Sequence, residues 1–387
     1  MKKQPGFTIV ELIIVITVMS ILATITIVSY IGIARNARIA SLTSDLSNNK
    51  KQLELYKATY GYYPTGLTDN CPSSPTPDID RCLKFSPGNS LKSYTSFSSQ
   101  TFALTAKNES DIPEYQITEN SVAIAIEACP SGFIQVPGSP TYGTSTFCVM
   151  KYEAKNVGGV ATSVAAGLPW VSNSPTNIRN TIAPAACSGC HMITEAEWLT
   201  IAQNVLSVPS NWSGGSVGSG FIYSGHNDNS PSGALAASTD DNNGYSGTGN
   251  VFPSNQRRTL TLTNGEVIWD FAGNMWEWTA GLTASGTISQ PGVSGNNYLS
   301  FIEWPNVNIA GNLSPNVFPS ATGITGSENW NSSNGIGKLN SFANDTVQHS
   351  FRRGGIYDGG ANTGIFTLDL RYAASTASAY VSFRVAK

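Results

Sequence analysis

Residues 7–34 read FTIVELIIVITVMSILATITIVSYIGIA, 28 residues with one charged side chain, Glu11, closed abruptly by Arg35. About 20 apolar residues in helical conformation cross the hydrocarbon core of a bilayer, so the stretch predicts a transmembrane helix. The leader before it, MKKQPG, carries two lysines. With no A-x-A site after the apolar run, an ordinary secretory signal fits poorly and an anchor with its positive end inside fits better. Beyond Arg35 the helical pattern continues but becomes amphipathic. Ile39, Leu42, Leu46, Leu53 and Tyr56 recur at helical steps among Arg, Asn and Lys, which predicts a helix that leaves the membrane and packs one face on a partner. Gly61 and Pro64 end it.

The run GFTIVEL at residues 6–12 resembles the N-terminus of type IV pilins and pseudopilins. The resemblance implies that a prepilin peptidase cuts between Gly6 and Phe7 and that the new N-terminus is methylated. Glu11, fifth in the mature chain, would then meet the N-terminal amine of a neighbouring subunit in the filament. A carboxylate in hydrocarbon is expensive unless paired, which gives that contact its physical reason. LELY at 53–56 and YYP at 62–64 also resemble the end of the pilin helix. The expected layout is therefore a leader at 1–6, an assembly helix at 7–64 and a small antiparallel β headpiece at 65–128. Strands are expected in the headpiece at 94–99, 101–106 and 122–127, where β-branched and aromatic residues gather between turns.

At 387 residues the chain has room for a further domain. Only 12% of residues are charged and the formal charge is −3, or −5 once Lys2 and Lys3 leave with the leader. That balance argues against a phosphate backbone as partner, so no nucleic acid is expected. All six cysteines, Cys71, Cys82, Cys129, Cys148, Cys187 and Cys190, lie beyond the anchor. An even count in an exported chain suggests disulfides. Cys71 with Cys82 would staple a Pro-rich loop and Cys129 with Cys148 would close another. Cys187 and Cys190 form a C-x-x-C followed by His191, open to a disulfide, a redox pair, half a zinc site or haem attachment.

Residues 129–387 hold all eight tryptophans, which points to a packed core despite long stretches of Gly, Asn, Ser and Thr. One helix is expected at 194–205, opened by a T-x-x-E capping box of Thr194 and Glu197. The run VIWDFAGNMWEWT at 267–279 is the most informative here. With VMKYE at 149–153, LPWV at 168–171, ITEAEW at 193–198, RRGG at 352–355 and SFRVA at 382–386, it resembles the formylglycine-generating-enzyme, or sulfatase-modifying-factor, family. That family has a C-type-lectin-like fold. The whole chain thus reads as α+β: a long pilin helix with a small antiparallel β headpiece, then a loop-rich C-type-lectin-like domain.

The oxidase branch of that family needs cysteines near the C-terminus to hold copper, and here none follows Cys190. No copper and no catalysis are expected. The other branch comprises ligand-binding proteins diversified by retroelements. The tail at about 350–387 resembles their variable region, which implies ligand-binding roles for Ile356, Tyr357, Asp358, Gly359, Asp369, Arg371, Tyr372, Thr376, Ser378 and Tyr380. Alternation at 365–372 and 377–383 predicts one set of side chains inward and the other outward. Tyr, Ser, Asp and Arg on an exposed face are what a paratope uses. The family resemblance also implies a structural calcium on the Asp270 and Glu277 side chains with the Gly273 and Met275 carbonyls, hard oxygen ligands that suit Ca²⁺.

The expected function is a pilin-like protein of the cell surface or an extracellular pilus, membrane-anchored at the inner membrane before assembly. Its helix would contact other pilin subunits and its lectin-like domain would bind an extracellular protein or glycan. A surface-anchored oxidase and a purely structural minor pilin are the alternatives.

Overall fold

The computed structural model describes residues 9–110, 113–126, 129–283, 298–307, 324, 326–341 and 346–387, with side chains for all of these except 9–32, 97–98 and 298–299. The chain divides into two compact units, Met1–Glu127 and Ala128–Lys387. The expected processing residues Gly6 and Phe7, and the Glu11 side chain, lie outside the described part.

The first unit is built on one helix, Ile9–Tyr60. Among the described residues no helix is long and apolar enough to cross a membrane, and the span expected at 7–34 falls almost wholly where side chains are not described. Beyond it, Leu42, Leu46 and Leu53 are fully buried against Phe102, Leu104 and Ile117. These come from an antiparallel sheet of Asn89–Ser98, Thr101–Asn108, Glu114–Thr118 and Ile124–Ile126, paired in that order. Gly61 stops the helix at φ +84°, a left-handed position that only glycine adopts without strain, while its N–H donates to the Lys57 carbonyl. The Pro-rich loop expected around Cys71 and Cys82 includes a short hairpin of Gly66–Thr68 and Cys71–Ser74, and the two cysteines are joined in a disulfide.

Two polar residues on the buried helix face have a role the apolar pattern conceals. Asp45 accepts from the Ser86 N–H (2.8 Å), the Ser86 hydroxyl (2.9 Å) and the Asn89 amide (2.7 Å). Asn49 exchanges two hydrogen bonds with the Lys84 backbone. Together they tie the chain entering the sheet to the helix. Asp45→Ala should strip three donors of their acceptor and weaken this unit by about 1–3 kcal/mol. Faster amide hydrogen exchange along Thr101–Asn108 would register it, and unchanged exchange would refute it.

The second unit is mostly loop around a four-stranded and a six-stranded sheet, with two two-stranded hairpins besides. The smaller sheet runs His191–Met192, Val385–Ala386, Phe147–Met150, Phe133–Val136. The last residue, Lys387, exchanges backbone hydrogen bonds with Cys148 (2.8 Å each way), and Cys148 is disulfide-bonded to Cys129. The larger sheet has the order Tyr298–Ile302, Leu339–Ser341, Leu368–Ala373, His349–Arg353, Trp276–Leu282, Val381–Phe383. Helix Glu195–Leu206 opens with the anticipated capping box. The Thr194 hydroxyl accepts from Glu197 N–H and the Glu197 carboxylate accepts from Thr194 N–H. Its Trp198 stacks on Phe271 with ring centroids 4.1 Å apart and donates from the indole to the Ile365 carbonyl.

Candidate functional site

The run at 267–279 lies at the centre of the second unit. Asp270 and Asn274 both take left-handed backbone angles, φ 52° and 60°. Between them Gly273 passes so close to the backbone of Ser224 and His226 that a Cβ would sit 2.5 Å from the His226 carbonyl oxygen. The Asn274 amide accepts from Leu235 N–H and donates to Glu153, and so joins three segments.

The expected calcium donors do not fit a resident cation. Both oxygens of Asp270 accept from Arg258, each at 2.7 Å, and both oxygens of Glu277 accept from Arg384, at 2.9 and 3.0 Å. The positive charge a metal would bring is already supplied by guanidinium groups, so the Gly273 and Met275 carbonyls have no pair of free carboxylates to work with. Among the described residues no group of three or more His, Cys, Asp or Glu could hold a metal ion. Cys187 and Cys190 are joined in a disulfide, which leaves no thiolate for zinc or haem.

Beside these pairs sits Glu153, buried, with one oxygen lacking any partner. Burial pushes its carboxyl from 4.5 up to about 8, the Asp270 charge adds to the rise, and buried Lys155 opposes it. Burial also raises Glu277 to about 7, against the pull of Arg384. A folded pKa above the unfolded one means stability that is fully present below pH 4.5 and lost as pH rises through about 8. The melting temperature should therefore fall across that window, and Glu153→Gln should flatten the fall. An unchanged pH profile in the variant would disprove the assignment.

The best candidate for recognition is a face built on the larger sheet. Asp369 is fully buried, and it holds Arg352 (2.7 Å) on one side and Arg371 (2.7 Å) on the other. Burial alone would raise the Asp369 carboxyl, yet the two guanidinium groups hold it below the usual carboxylate range. The Arg352 guanidinium lies 4.4 Å from the centre of the Trp276 ring and 4.1 Å from that of Tyr372. Phe301 stacks nearly parallel to Trp276. Arg371, half-buried, lies 5.9 Å from both Phe301 and Tyr372. Trp170, Phe301, Tyr357 and Tyr372 all pack, partly exposed, on one apolar cluster that contains Trp276, Trp278 and Val381. The segment around Ser172 and Thr176 is hydrogen-bonded to the backbone of Ser378 and Ala374. Tyr380 stands 56% exposed, and the pKa of the neighbouring Tyr357 hydroxyl is raised mainly by burial, with the Asp358 charge adding to the rise.

Eight of the ten expected ligand residues reach the surface at least in part: Tyr357, Asp358, Gly359, Arg371, Tyr372, Thr376, Ser378 and Tyr380. Two do not. Ile356 belongs to the apolar cluster and Asp369 is the buried anchor for two arginines. The expected alternation fails for a related reason. Strand Leu368–Ala373 has neighbours on both sides, and residues 363–370 are buried without a break. In the stretch 377–383 only Val381–Phe383 is strand. The sequence reading missed Trp170, Trp276, Phe301 and Arg352 as members of this face. Trp170, Trp276 and Arg352 sit in motifs quoted above, whereas Phe301 has no local signal.

Removing the anchor should be costly. Asp369→Asn leaves the buried Arg352 charge without its counter-ion, a loss of about 3–5 kcal/mol. Urea unfolding would measure it, and a midpoint unchanged from the parent chain would contradict the anchoring role.

Residues 1–27 match the prokaryotic N-terminal methylation motif. The chain therefore carries the type IV pilin motif at its N-terminus, and Gly6, Phe7 and Glu11 fall within the matched residues. No curated protein matches the chain. Solved structures similar to it include the Major Tropism Determinant U1 variant, at 13% identity and TM-score 0.28, with 66% of this chain and 52% of that one covered. The M1 variant of the same determinant has 12% identity and TM-score 0.30, covering 73% and 63%. The chain thus spans between about half and under two thirds of the length of these proteins. At such scores the likeness does not define the fold.

Proposed function

We propose that this chain is a pilin-type surface protein whose second unit is a C-type-lectin-like recognition domain of the formylglycine-generating-enzyme type. The observation that carries the reading is the face anchored by Asp369. Four half-exposed rings, Trp170, Phe301, Tyr357 and Tyr372, pack on one apolar cluster, and arginines anchored by Asp369 lie against two of them, Phe301 and Tyr372. Rigid aromatic area with Ser and Asp alongside favours binding because little side-chain freedom is lost on contact. The methylation motif supports assembly with other pilin subunits, cleavage between Gly6 and Phe7, and passage through the inner membrane to a surface filament. Glu11 would pair with a neighbouring subunit's N-terminus there.

Burial sharpens the idea of a diversified tail. Variation that spares the fold would be confined to residues 357–362 and 371–380, because Ile356, residues 363–370 and residues 381–386 are packed inside. Binding is favoured over the oxidase alternative by the pairing of all six cysteines in disulfides.

The test is an array of surface proteins probed with the complete chain and with a variant carrying Asp358→Ala, Thr376→Ala and Tyr380→Ser. The expected result is binding by the parent that the variant loses by about tenfold or more, at an unchanged melting temperature. Binding that survives the three changes, or no binding by the parent, would overturn the proposal.

A further inference from the structure

The second unit contains a cleft of about 320 Å³ that the recognition face does not use. It is formed where four loop segments meet, and its lining includes Phe221, Ser254, Asn255, Ser333, Ala361 and Thr363. None of its lining residues is ionisable. The volume lies at the small end of the range for ligand sites, about 300–1,000 Å³.

We infer that this cleft binds a neutral saccharide unit. Its polar groups are hydroxyls and an amide, which can each donate and accept, as sugar hydroxyls do. Most of this polar lining is already engaged within the protein: the Ser224 hydroxyl accepts from the Asn227 amide and that of Ser332 donates to Glu303. The Ser254 hydroxyl accepts from Gln256 N–H, and that of Thr363 donates to the Ile356 carbonyl. Among the described residues, the Asn255 amide and the Ser333 hydroxyl have no protein partner. They stand on segments that come from different parts of the chain, and both are exposed. The Phe221 ring supplies an apolar surface for the C–H face of a pyranose. Pro253, on the lip, follows Val251 and Phe252, two apolar side chains left 76% and 63% exposed.

A charged ligand would lose its water without gaining a counter-ion here, which disfavours it. An extended peptide would need an open strand edge to pair with. The walls instead carry the short helical turns Ser332–Asn334 and Gly360–Asn362. The same turn joins the cleft to residues 357–359, so a glycan seated in it would lie beside the recognition face without being held by it.

The test uses titration calorimetry of the complete chain with a panel of neutral oligosaccharides and their sialylated and sulfated counterparts. At least one neutral oligosaccharide should saturate the protein, with the acidic forms weaker. Ser333→Trp and Asn255→Trp, which fill the cleft from two walls and leave the backbone bonds in place, should each weaken binding by about tenfold or more at unchanged melting temperature. The variant with Asp358→Ala, Thr376→Ala and Tyr380→Ser should keep this binding, so failure of the cleft and failure of the recognition face can be told apart. Saturation by no neutral oligosaccharide, binding that survives both tryptophans, or equal binding of the acidic forms would overturn the inference.

Discussion

Buried arginine holds the second unit together. Arg258, Arg353 and Arg384 are almost wholly removed from solvent, and each meets a carboxylate: Asp270, Glu195 and Glu277 respectively. Guanidinium has five donors in a rigid fork, so one side chain can pair with an acid and still reach the carbonyls of other segments. Arg384 donates to Met150, Lys151 and Trp269 carbonyls as well as to Glu277. Arg258 similarly reaches Leu235, Ala236 and Ser246. Loops with little regular structure are thereby tied to a common centre, which the short strands alone could not do. Lysine, with a single compact charge, would satisfy the acid and leave the carbonyls orphaned. The chain has few charges, and these sit where geometry needs them.

The recognition face repeats that logic one layer nearer the surface. Asp369 lies inside and orients Arg352 and Arg371, and these in turn position Trp276, Tyr372 and Phe301. The rings at the surface owe their rigidity to a carboxylate no ligand can touch. A surface so supported can change its outermost side chains while the layer beneath stays fixed. The cleft beside it is a different kind of place, uncharged and lined by hydroxyls, and its chemistry does not depend on the arginines.

Features governed by local chain geometry were legible in the sequence. The helical period of Leu42, Leu46 and Leu53, the stop at Gly61 and the capping box of Thr194 and Glu197 each follow from residues a few positions apart. Nearby cysteines also paired as the compartment suggested. Arginine partners were not legible, because Arg384 and Glu277 stand 107 residues apart and Arg353 and Glu195 stand 158 apart. The arginine pairing of the expected calcium ligands Asp270 and Glu277 was hidden by that gap: an acidic motif looks the same whether it awaits a cation or a guanidinium. The two-residue alternation misled for another reason. It assumes one wet face, whereas Leu368–Ala373 lies within the sheet and begins covered on both sides.

The junction at Cys148 has a mechanical meaning. The disulfide to Cys129 carries the chain's entry into this unit straight to the strand Phe147–Met150, which is flanked by Phe133–Val136 on one side and Val385–Ala386 on the other. Tension entering from the N-terminal side therefore bypasses residues 130–147 and arrives at the middle of a sheet instead of its edge. Strands loaded there must slide past both neighbours together, whereas an edge strand would unzip one bond at a time. Lys387 adds two backbone hydrogen bonds to Cys148 at the same point. A domain tethered by one end and pulled by its ligand would bear that load through a covalent bond and two ladders acting in parallel.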